Sequence, residues 1–504
     1  MKKIAFLKIY LVPLFGFLFF GCSEVLEKDP IALISEVSAY VTEADAKKAV
    51  AAAYQPASAN DWCCGNGGGG YMHWVFANIA SDDTEKGGES GSDQLYAQQI
   101  SDFNIPTNNR AVELAWANQY VGVHRANLVL DNVVNITMDD DLKNQYLAEA
   151  KFLRAWYYFN LVRTFGGVPL VLEANLSSYE LERASEQEVY NQIISDLESA
   201  IQVLPEADAY APEDKGRATK GAALAYLGKV YLYMDNFAKA EENFGSVINS
   251  NQYSLDPDYL GMFYRDGENS EEHIFQIQFS NDPNGPAQAQ NLLNTIYGSR
   301  ARNGWGFNLP TEDFVNAFEP DDPRLGHSVY ANDDVMPDGE IADVGNSTTG
   351  YLTKKYYVPG YERINGGIRA GRDDIYMRLG KVLLWYAEAA NENGNTTEAL
   401  KALEMVRDRA RNGNASILPE ITETDQAALR TIIWHEQRVE SGQEYERFFE
   451  LVRQGRAGEV LRAYAKKYDT SKGAGFRDGI NEIFPIPQSE INLSADKIIQ
   501  NPGY

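Results

Sequence analysis

The sequence has little cysteine, little histidine and too little positive charge to balance its acids. Only three cysteines occur among 504 residues, and two of them, Cys63 and Cys64, are adjacent. This excludes a disulfide framework and leaves a vicinal disulfide or two reduced thiols as alternatives. The five histidines are scattered, so neither a zinc-ligand pair nor a nucleophile–histidine motif can be assigned. The net charge of −27 makes nucleic acid and anionic bilayers poor partners.

The N-terminus has the order of a secretion signal. Three lysines in the first eight residues precede an apolar run over residues 9–20, which ends in Gly21 and Cys22. This order predicts a lipoprotein signal peptide, residues 1–21, that is cleaved before Cys22 and leaves its thiol to carry the lipid. The alternative is an ordinary signal peptide with a chance cysteine. No later stretch resembles a transmembrane helix, so we expect a protein anchored to a membrane rather than one that crosses it.

A helix-pair repeat is the most informative pattern in the chain. The stretch Leu224–Ile248 has the spacing of a tetratricopeptide helix pair, in Leu227, Gly228, Tyr231, Ala240 and Phe244. The stretch Tyr386–Val406 repeats this pattern loosely, and Ala148–Phe165 predicts another amphipathic helix. One such unit cannot bury its own apolar face. The sequence therefore predicts a mainly α fold: a tetratricopeptide-like helical-repeat scaffold with long loop-rich insertions and a few short strands.

Two loop-rich regions interrupt the helical pattern. The first covers about residues 55–104 and lacks helical or strand periodicity, which in a compact domain usually indicates function. The second covers about residues 261–372 and includes one strand-like run, HIFQIQF. Helical character returns over about residues 373–468, beginning at Tyr376. We therefore expect a helical N-terminal part, residues 22–260, and a C-terminal part, residues 261–504.

The candidate ligand-binding residues are mostly aromatic side chains in these loops. Aromatic rings stack on the flat C–H faces of sugars, and the hydroxyls of the sugar need polar partners. The alternative is that the rings only hold the loops to the scaffold. The candidates are Trp62, Tyr71, Trp74, Tyr96, Tyr297, Arg300 and Trp305.

Adjacent acids form a second set of candidates. Such pairs could supply the acid and the nucleophile of a glycosidase, or oxygen ligands for calcium. In so acidic a chain, however, adjacent acids are mostly solvated loop residues or helix caps. The pairs are Asp82/Asp83, Asp321/Asp322 and Asp333/Asp334. Asp82 and Asp83 lie in the first loop region and are kept as candidate ligand contacts. The sequence assigns no catalytic residue, no cofactor and no metal ligand.

The sequence resembles the SusD/RagB family over the whole mature chain. The closing segment with PIPQSEI and QNPGY is the most specific part. The motifs that carry the resemblance are Gly304–Leu325, Tyr376–Gly394, Ile432–Gly455 and Phe484–Tyr504, together with Cys22–Pro30, Trp116–Asn127 and Phe152–Val171. Within them the charged residues alternate at near-helical spacing, which indicates partly buried arginine–carboxylate pairs that fix helix packing. These residues are Glu436, Arg438, Glu440, Glu444 and Arg447.

The resemblance implies a non-enzymatic, lipid-anchored lipoprotein of the outer membrane that faces the exterior. Such a protein captures an oligosaccharide and passes it to a SusC-like TonB-dependent transporter, over which it sits as a hinged lid. Recognition loops differ between members, so the resemblance indicates only where the ligand surface lies: the loop around residues 62–96 and the loop that includes Trp305. Peptide capture, as in RagB-like members, and glycoside hydrolysis are the alternatives.

Overall fold

The computed structural model describes residues 39–58, 73–175, 181–286, 289–367 and 369–504. The predictions for the signal peptide and for Cys22, Trp62, Cys63, Cys64 and Tyr71 lie outside these residues. The described chain is mainly helical, which confirms the predicted fold class. The α-helices are α1 (Glu43–Tyr54), α2 (Leu95–Ser101), α3 (Arg110–Asn132), α4 (Asp140–Phe165), α5 (Glu186–Ile201), α6 (Lys220–Tyr233), α7 (Phe237–Asn249), α8 (Leu293–Tyr297), α9 (Glu312–Val315), α10 (Pro323–Ser328), α11 (Leu379–Glu392), α12 (Thr396–Arg411), α13 (Gln426–Ser441), α14 (Arg447–Arg453), α15 (Ala457–Tyr468) and α16 (Gln488–Leu493).

The strands are short and pair in twos. They are β1 (Thr84–Gly87), β2 (His273–Ile277), β3 (Phe307–Pro310), β4 (Val329–Tyr330), β5 (Leu352–Thr353), β6 (Arg363–Ile364), β7 (Arg369–Ala370) and β8 (Asp374–Arg378). The antiparallel pairs are β1 with β3, β2 with β8, β4 with β5, and β6 with β7. Because β1 pairs with β3, the two loop-rich regions of the sequence are joined.

The helices pack in succession, as a helical repeat requires. Helices α3 to α7 each contact the next, and α7 then contacts α11, which packs on α12 and α13. The repeat in α6 and α7 has the predicted geometry, because a Cβ placed on Gly228 would lie 2.7 Å from ring atoms of Phe244. In the second pair, the side chains of Ala387, Ala399 and Leu403 are fully buried between α11 and α12. Within the described residues, none of the helices combines the length and apolar character that crossing a membrane requires.

Replacing Gly228 with leucine is expected to destabilise the protein. The new side chain would overlap the Phe244 ring at the α6–α7 crossing, and overpacking of this kind costs about 1–3 kcal/mol or more. The measurement is the melting temperature, with Gly394→Ala as the control, because a Cβ at Gly394 meets no atom within 4 Å although its φ of +80° adds some strain. A melting temperature for Gly228→Leu no lower than that of the control would contradict the repeat assignment.

Thr42 caps α1, and its side chain and that of Asp45 form a reciprocal capping box. Two local predictions meet different outcomes. The strand-like run HIFQIQF forms β2, as predicted. The prediction that helix begins at Tyr376 is wrong, because Tyr376 lies in β8, paired with β2, and the helix begins at Leu379. The apolar side chains of this stretch fit a buried strand as well as a helix, so periodicity alone could not separate the two.

The first loop-rich region is more regular than the sequence predicts. Its described part contains a π-helix, Trp74–Ile79, followed by β1 and α2. All six residues of the π-helix are buried. We call residues 55–104 the early loop below, although only part of this region is loop.

A buried network of charges holds the C-terminal half together. Arg378 is fully buried, and its guanidinium contacts Glu272 Oε1 at 2.7 Å, Glu440 Oε1 at 2.6 Å and Glu444 Oε2 at 2.9 Å. Arg324 joins the same network through Glu440 Oε2 at 3.1 Å. These contacts tie β8, α10 and the residue before β2 to the C-terminal end of α13 and the segment that follows it. They confirm that the charged residues of this motif fix packing.

Candidate functional site

The loop from Tyr297 to Gly306 is folded tightly on itself by three glycines. A Cβ at Gly304 would lie 2.2 Å from the carbonyl carbon and oxygen of Gly298, so only glycine permits this approach. The N–H of Gly306 donates to the Gly298 carbonyl at 2.9 Å, and Gly306 itself has a φ of +65°. The glycine spacing in GSRARNGWG therefore produces a compact loop that carries Arg300 and Trp305.

This loop lies against the early loop. The N–H of Gly88 donates to the Gly306 carbonyl at 2.7 Å, next to the β1–β3 pair in which Gly87 is opposite Phe307. The Arg300 guanidinium lies 3.3 Å from Glu89 Oε2 and 3.8 Å from Asp93 Oδ2. The structure thus brings together the two loops that the sequence singles out, although they are about 200 residues apart in the chain.

The half-buried Trp305 and the side chains of Arg300, Glu89 and Asp93 lie where the two loops meet, and we call this cluster the Trp305 face. Arg300 donates from Nη1 to the Trp305 carbonyl at 2.8 Å, which fixes the guanidinium beside the tryptophan backbone. The Arg300 side chain is 30% exposed and that of Glu89 is 77% exposed. An aromatic side chain with an accessible guanidinium and carboxylate beside it suits a polyhydroxylated ligand.

Tyr96 lies next to this face, on α2. Its side chain is half-buried against the core, and its carbonyl accepts a hydrogen bond from Asn109 Nδ2 at 3.0 Å. Burial and the neighbouring Asp93 carboxylate raise the pKa of Tyr96, so it is a neutral phenol at physiological pH.

A small cleft of about 30 Å³, lined by tyrosines, adjoins the same loop. Its lining residues include Tyr297, Tyr330, Tyr356 and Tyr357, together with Asn294, Arg302, Asn303 and Arg363. The Tyr357 hydroxyl donates to Asp338 at 2.9 Å, and Arg302 forms an ion pair with Glu340. Apart from Tyr297, these residues are absent from the sequence candidates. The density of tyrosine and arginine in YLTKKYYVPGYER, residues 351–363, was the signal that could have indicated them.

The expectation that Trp74 contacts a ligand from a loop does not fit its position. Trp74 begins the π-helix and is only 4% exposed. Its ring centroid lies 5.9 Å from that of Tyr297 and 6.1 Å from that of Phe307. Tyr297 is itself 2% exposed and packs edge-on against Tyr356 at 5.0 Å. These rings support the loop from beneath, which corresponds to the alternative that loop aromatics hold the loops to the scaffold.

Asp82 and Asp83 are neither solvated loop residues nor exposed ligand contacts. Both are 1% exposed and lie between two arginines: Arg447 Nε donates to Asp82 Oδ1 at 2.9 Å, and Arg438 Nε donates to Asp83 Oδ1 at 2.7 Å. Burial opposes ionisation of Asp82, but the Arg438 and Arg447 guanidinium groups lower its pKa below the ordinary range. Burial raises the pKa of Asp83. The pair therefore fastens the early loop to α13 and α14.

The other acid pairs also have local roles. Asp322 caps α10 and forms an ion pair with Arg324 at 2.8 Å. Asp334 accepts a hydrogen bond from the N–H of Ala331 at 2.8 Å in an exposed turn. Within the described ranges, no group of three or more histidine, cysteine, aspartate or glutamate side chains could hold a metal ion.

Comparison with known proteins gives consistent matches. The family model described as "SusD family" matches residues 337–504, and the model described as "Starch-binding associating with outer membrane" matches residues 34–232. SusD-like protein P2 of Formosa agariphila is 27% identical, covering 96% of this chain and 97% of that protein. A SusD-like protein of Bacteroides ovatus is 26% identical, covering 80% of this chain and 82% of that protein.

The fold matches solved structures of the same kind. A structure described as "Laminarin binding SusD-like protein" superposes with a TM-score of 0.78 at 28% identity, covering 92% of this chain and all of that one. A SusD homologue from Bacteroides thetaiotaomicron superposes with a TM-score of 0.80 at 24% identity, covering 94% and 99% of the two chains, which supports the fold alone. Family models of the SusD type match both the N-terminal and the C-terminal part of the sequence, and the helical architecture agrees with them. The chain therefore belongs to the SusD/RagB family.

Proposed function

We propose that this protein is a cell-surface, non-enzymatic glycan-binding lipoprotein that captures an oligosaccharide at the Trp305 face. The observation that carries the proposal is the meeting of the early loop with the Trp305 loop, where the Arg300 guanidinium contacts two carboxylates and the backbone of the half-buried Trp305. The similarity to a laminarin-binding relative supports a saccharide as the ligand class.

The face has the chemistry that a sugar ring requires. The indole offers an apolar surface to C–H groups, Arg300 donates hydrogen bonds to hydroxyl oxygens, and Glu89 accepts them from hydroxyl hydrogens. Trp74, Tyr297 and Phe307 pack beneath the loop, so the geometry exists before the ligand arrives. A preformed site loses little conformational entropy on binding, which raises affinity.

The tyrosine cleft extends the same site. Its arginines are positioned by the protein: Arg302 pairs with Glu340, and Arg363 donates from Nε to the Val358 carbonyl at 2.8 Å. The part of each guanidinium that remains exposed can donate to sugar hydroxyls. A glycan chain that lies across the Tyr297–Gly306 loop would then contact Trp305 on one side and Arg302, whose side chain is 33% exposed, on the other.

Capture serves delivery in this proposal. The protein sits over a SusC-like TonB-dependent transporter as a lid that is open or closed. A ligand that makes more contacts in the closed state than in the open state shifts the equilibrium towards closure. The energy for uptake comes from the partners of the transporter. Cys22 carries the lipid that holds the protein to the outer membrane, facing the exterior. The outer-membrane association in the description of the matching family model supports this location.

Two alternatives lead to different observations. Peptide capture, as in RagB-like members, would require polar groups that bond the backbone of the peptide, rather than aromatic rings on which a sugar can stack. Glycoside hydrolysis would require two free carboxyl groups across a cleft, but the acid pair Asp82/Asp83 is buried in ion pairs with Arg438 and Arg447. The described geometry therefore favours glycan binding.

A ligand screen tests the proposal. Purified mature protein is run through native gels that contain plant, fungal, algal or host polysaccharides, with laminarin included, and hits are measured by calorimetry. We expect retardation by at least one glycan, without release of reducing ends. Binding to a peptide library with no glycan retained would instead support the peptide alternative, and hydrolysis by the pure protein would support an enzyme.

Replacing Cys22 with alanine is expected to release the protein from membranes. Without the thiol no lipid can be attached, and the apolar run of residues 9–20 is too short to span a bilayer as a helix. The measurement is membrane fractionation in cells that lack the transporter, with Cys63→Ala as the control that keeps the lipid. Membrane association unchanged by Cys22→Ala would contradict the anchor.

A further inference from the structure

Two adjoining cavities lie on another part of the fold and share no lining residue with the tyrosine cleft. One has a volume of about 250 Å³ and lies between the α5–α6 connection and β2. The other has a volume of about 380 Å³ and is bordered by the C-terminal end of α1 and by β2. The residues that line both are Lys215, Gly216, Arg217 and Gln276.

Three tyrosines face these cavities with their hydroxyls bonded to the protein. Tyr54 donates to Glu149 Oε2 at 2.9 Å, and Tyr210 donates to the Ala218 carbonyl at 2.7 Å. The Tyr253 hydroxyl lies 2.9 Å from Thr219 Oγ1. Each ring is therefore fixed in orientation and half-buried. Fixed aromatic rings bind a ligand at a lower entropy cost than mobile ones.

Amide side chains supply the polar part of the lining. Gln276 donates from Nε2 to Asn269 Oδ1 at 3.1 Å, and Gln278 donates to the same oxygen at 3.3 Å. The N–H of Asp208 donates to Gln252 Oε1 at 3.1 Å. Amides both donate and accept hydrogen bonds, so an amide-rich wall suits hydroxyl groups, which do the same.

Glycine is required where the two cavities meet. Gly216 has a φ of +89°, and a Cβ there would lie 2.5 Å from Gln278 Nε2. The backbone can therefore approach the amide wall closely only without a side chain at this position.

The charges of the lining nearly balance. Lys215 and Arg217 line both cavities and are opposed by Asp208 and Glu271 in the smaller one. Among the described residues no acid lines the larger cavity, but Arg217 is paired there with Glu149 Oε1 at 3.0 Å. Burial lowers the pKa of His273 to about 4, so this histidine is neutral at pH 7. A lining without a dominant charge does not select an ionic ligand.

We infer that these adjoining cavities form a second saccharide-binding site, which holds an uncharged stretch of the glycan away from the Trp305 face. The fixed tyrosines provide stacking surfaces, and the amides bond the hydroxyls. This inference rests on the proposed function for its ligand class but not for its location. A polysaccharide long enough to occupy both sites would bind more tightly than a short oligosaccharide, because the second contact becomes intramolecular.

Calorimetry on full-length mature protein tests the second site. The probe is a hexasaccharide of whichever screened polysaccharide the wild type retains, with laminarihexaose as the first choice. Asp208 lies exposed on the rim, so Asp208→Trp should fill the smaller cavity without altering the core, and Asp208→Ala is its matched control. We expect two molecules bound per wild-type chain, one per chain after Asp208→Trp or after Trp305→Ala, and two after Asp208→Ala.

A second measurement uses the whole polysaccharide. Asp208→Trp should weaken its binding by about tenfold or more, because simultaneous engagement is lost, while binding of the hexasaccharide at the remaining site is unchanged. Tyr253→Ala should repeat this effect and Tyr253→Phe should not, since the ring and not the hydroxyl meets the sugar. Tyr231→Ala, a half-buried tyrosine outside both cavities, controls for loss of stability.

The outcomes separate this inference from the proposed function. One bound molecule per wild-type chain, lost with Trp305→Ala and unaffected by Asp208→Trp, would overturn the second site alone. One bound molecule lost with Asp208→Trp and unaffected by Trp305→Ala would uphold the cavities and overturn the Trp305 face. Failure of every saccharide to bind would overturn both.

Discussion

Replacing Arg378 with alanine is expected to lower the free energy of unfolding by about 3–5 kcal/mol, because it removes a guanidinium that contacts three buried carboxylates and leaves their charge less compensated. Glu272, Glu440 and Glu444 all contact this guanidinium, and each is at most 1% exposed. The measurement is the midpoint of urea denaturation at pH 7.

The control for this prediction is an exposed ion pair elsewhere. Arg462 and Asp478 lie 2.8 Å apart with side chains 44% and 64% exposed, so Arg462→Ala should cost less than about 1 kcal/mol. Equal, small shifts for the two variants would show that the buried network adds no more than a surface pair. Loss of folded protein only in Arg378→Ala would agree with the larger cost.

Replacing Trp305 with alanine is expected to weaken glycan binding by about 2 kcal/mol or more, roughly thirtyfold. A central aromatic anchor carries a large share of the energy of a small site, whereas exposed charge contacts such as Arg300–Glu89 contribute less. Calorimetry with the hexasaccharide identified by the screen measures the effect. The fold should persist, because Trp305 is only partly buried.

Two other tryptophans serve as controls. Trp434 is also half-buried but lies on α13, where its Nε1 donates to Glu388 Oε1 at 2.8 Å, so Trp434→Ala should leave glycan affinity unchanged. Trp74→Ala should instead cost about 3–5 kcal/mol of stability, because the side chain is buried in the core. Wild-type affinity in Trp305→Ala would make that tryptophan a scaffold residue.

The scaffold was largely predictable because its signals are local. The helix pair needs a small residue opposite a large one, and Gly228 opposite Phe244 satisfies this within one repeat. The cap at Thr42 needs only residues 42–45. Tyr376 was assigned wrongly because its environment depends on β2, about a hundred residues earlier in the chain.

The candidate site was predictable in location but not in detail. Glycine content indicated where loops lie, yet it could not show which loop rings point inward. Trp74 and Trp305 both lie in glycine-containing regions of the sequence, but the π-helix places Trp74 in the core. In the sequence Asp82 and Asp83 resemble solvated loop acids, because only the folded structure places Arg438 and Arg447 beside them. Burial at these positions is decided by partners distant in the sequence.

The ion pairs of the early loop have a consequence for vectorial secretion. Arg438 follows Asp83 by 355 residues, and Arg447 follows Asp82 by 365 residues. In the export that we propose, a chain that leaves the channel N-terminus first presents these carboxylates long before their partners emerge, and an unpaired carboxylate resists burial. We expect the nascent N-terminal half to depend on holdase chaperones, and the early loop to reach its final structure only after α14 has been released.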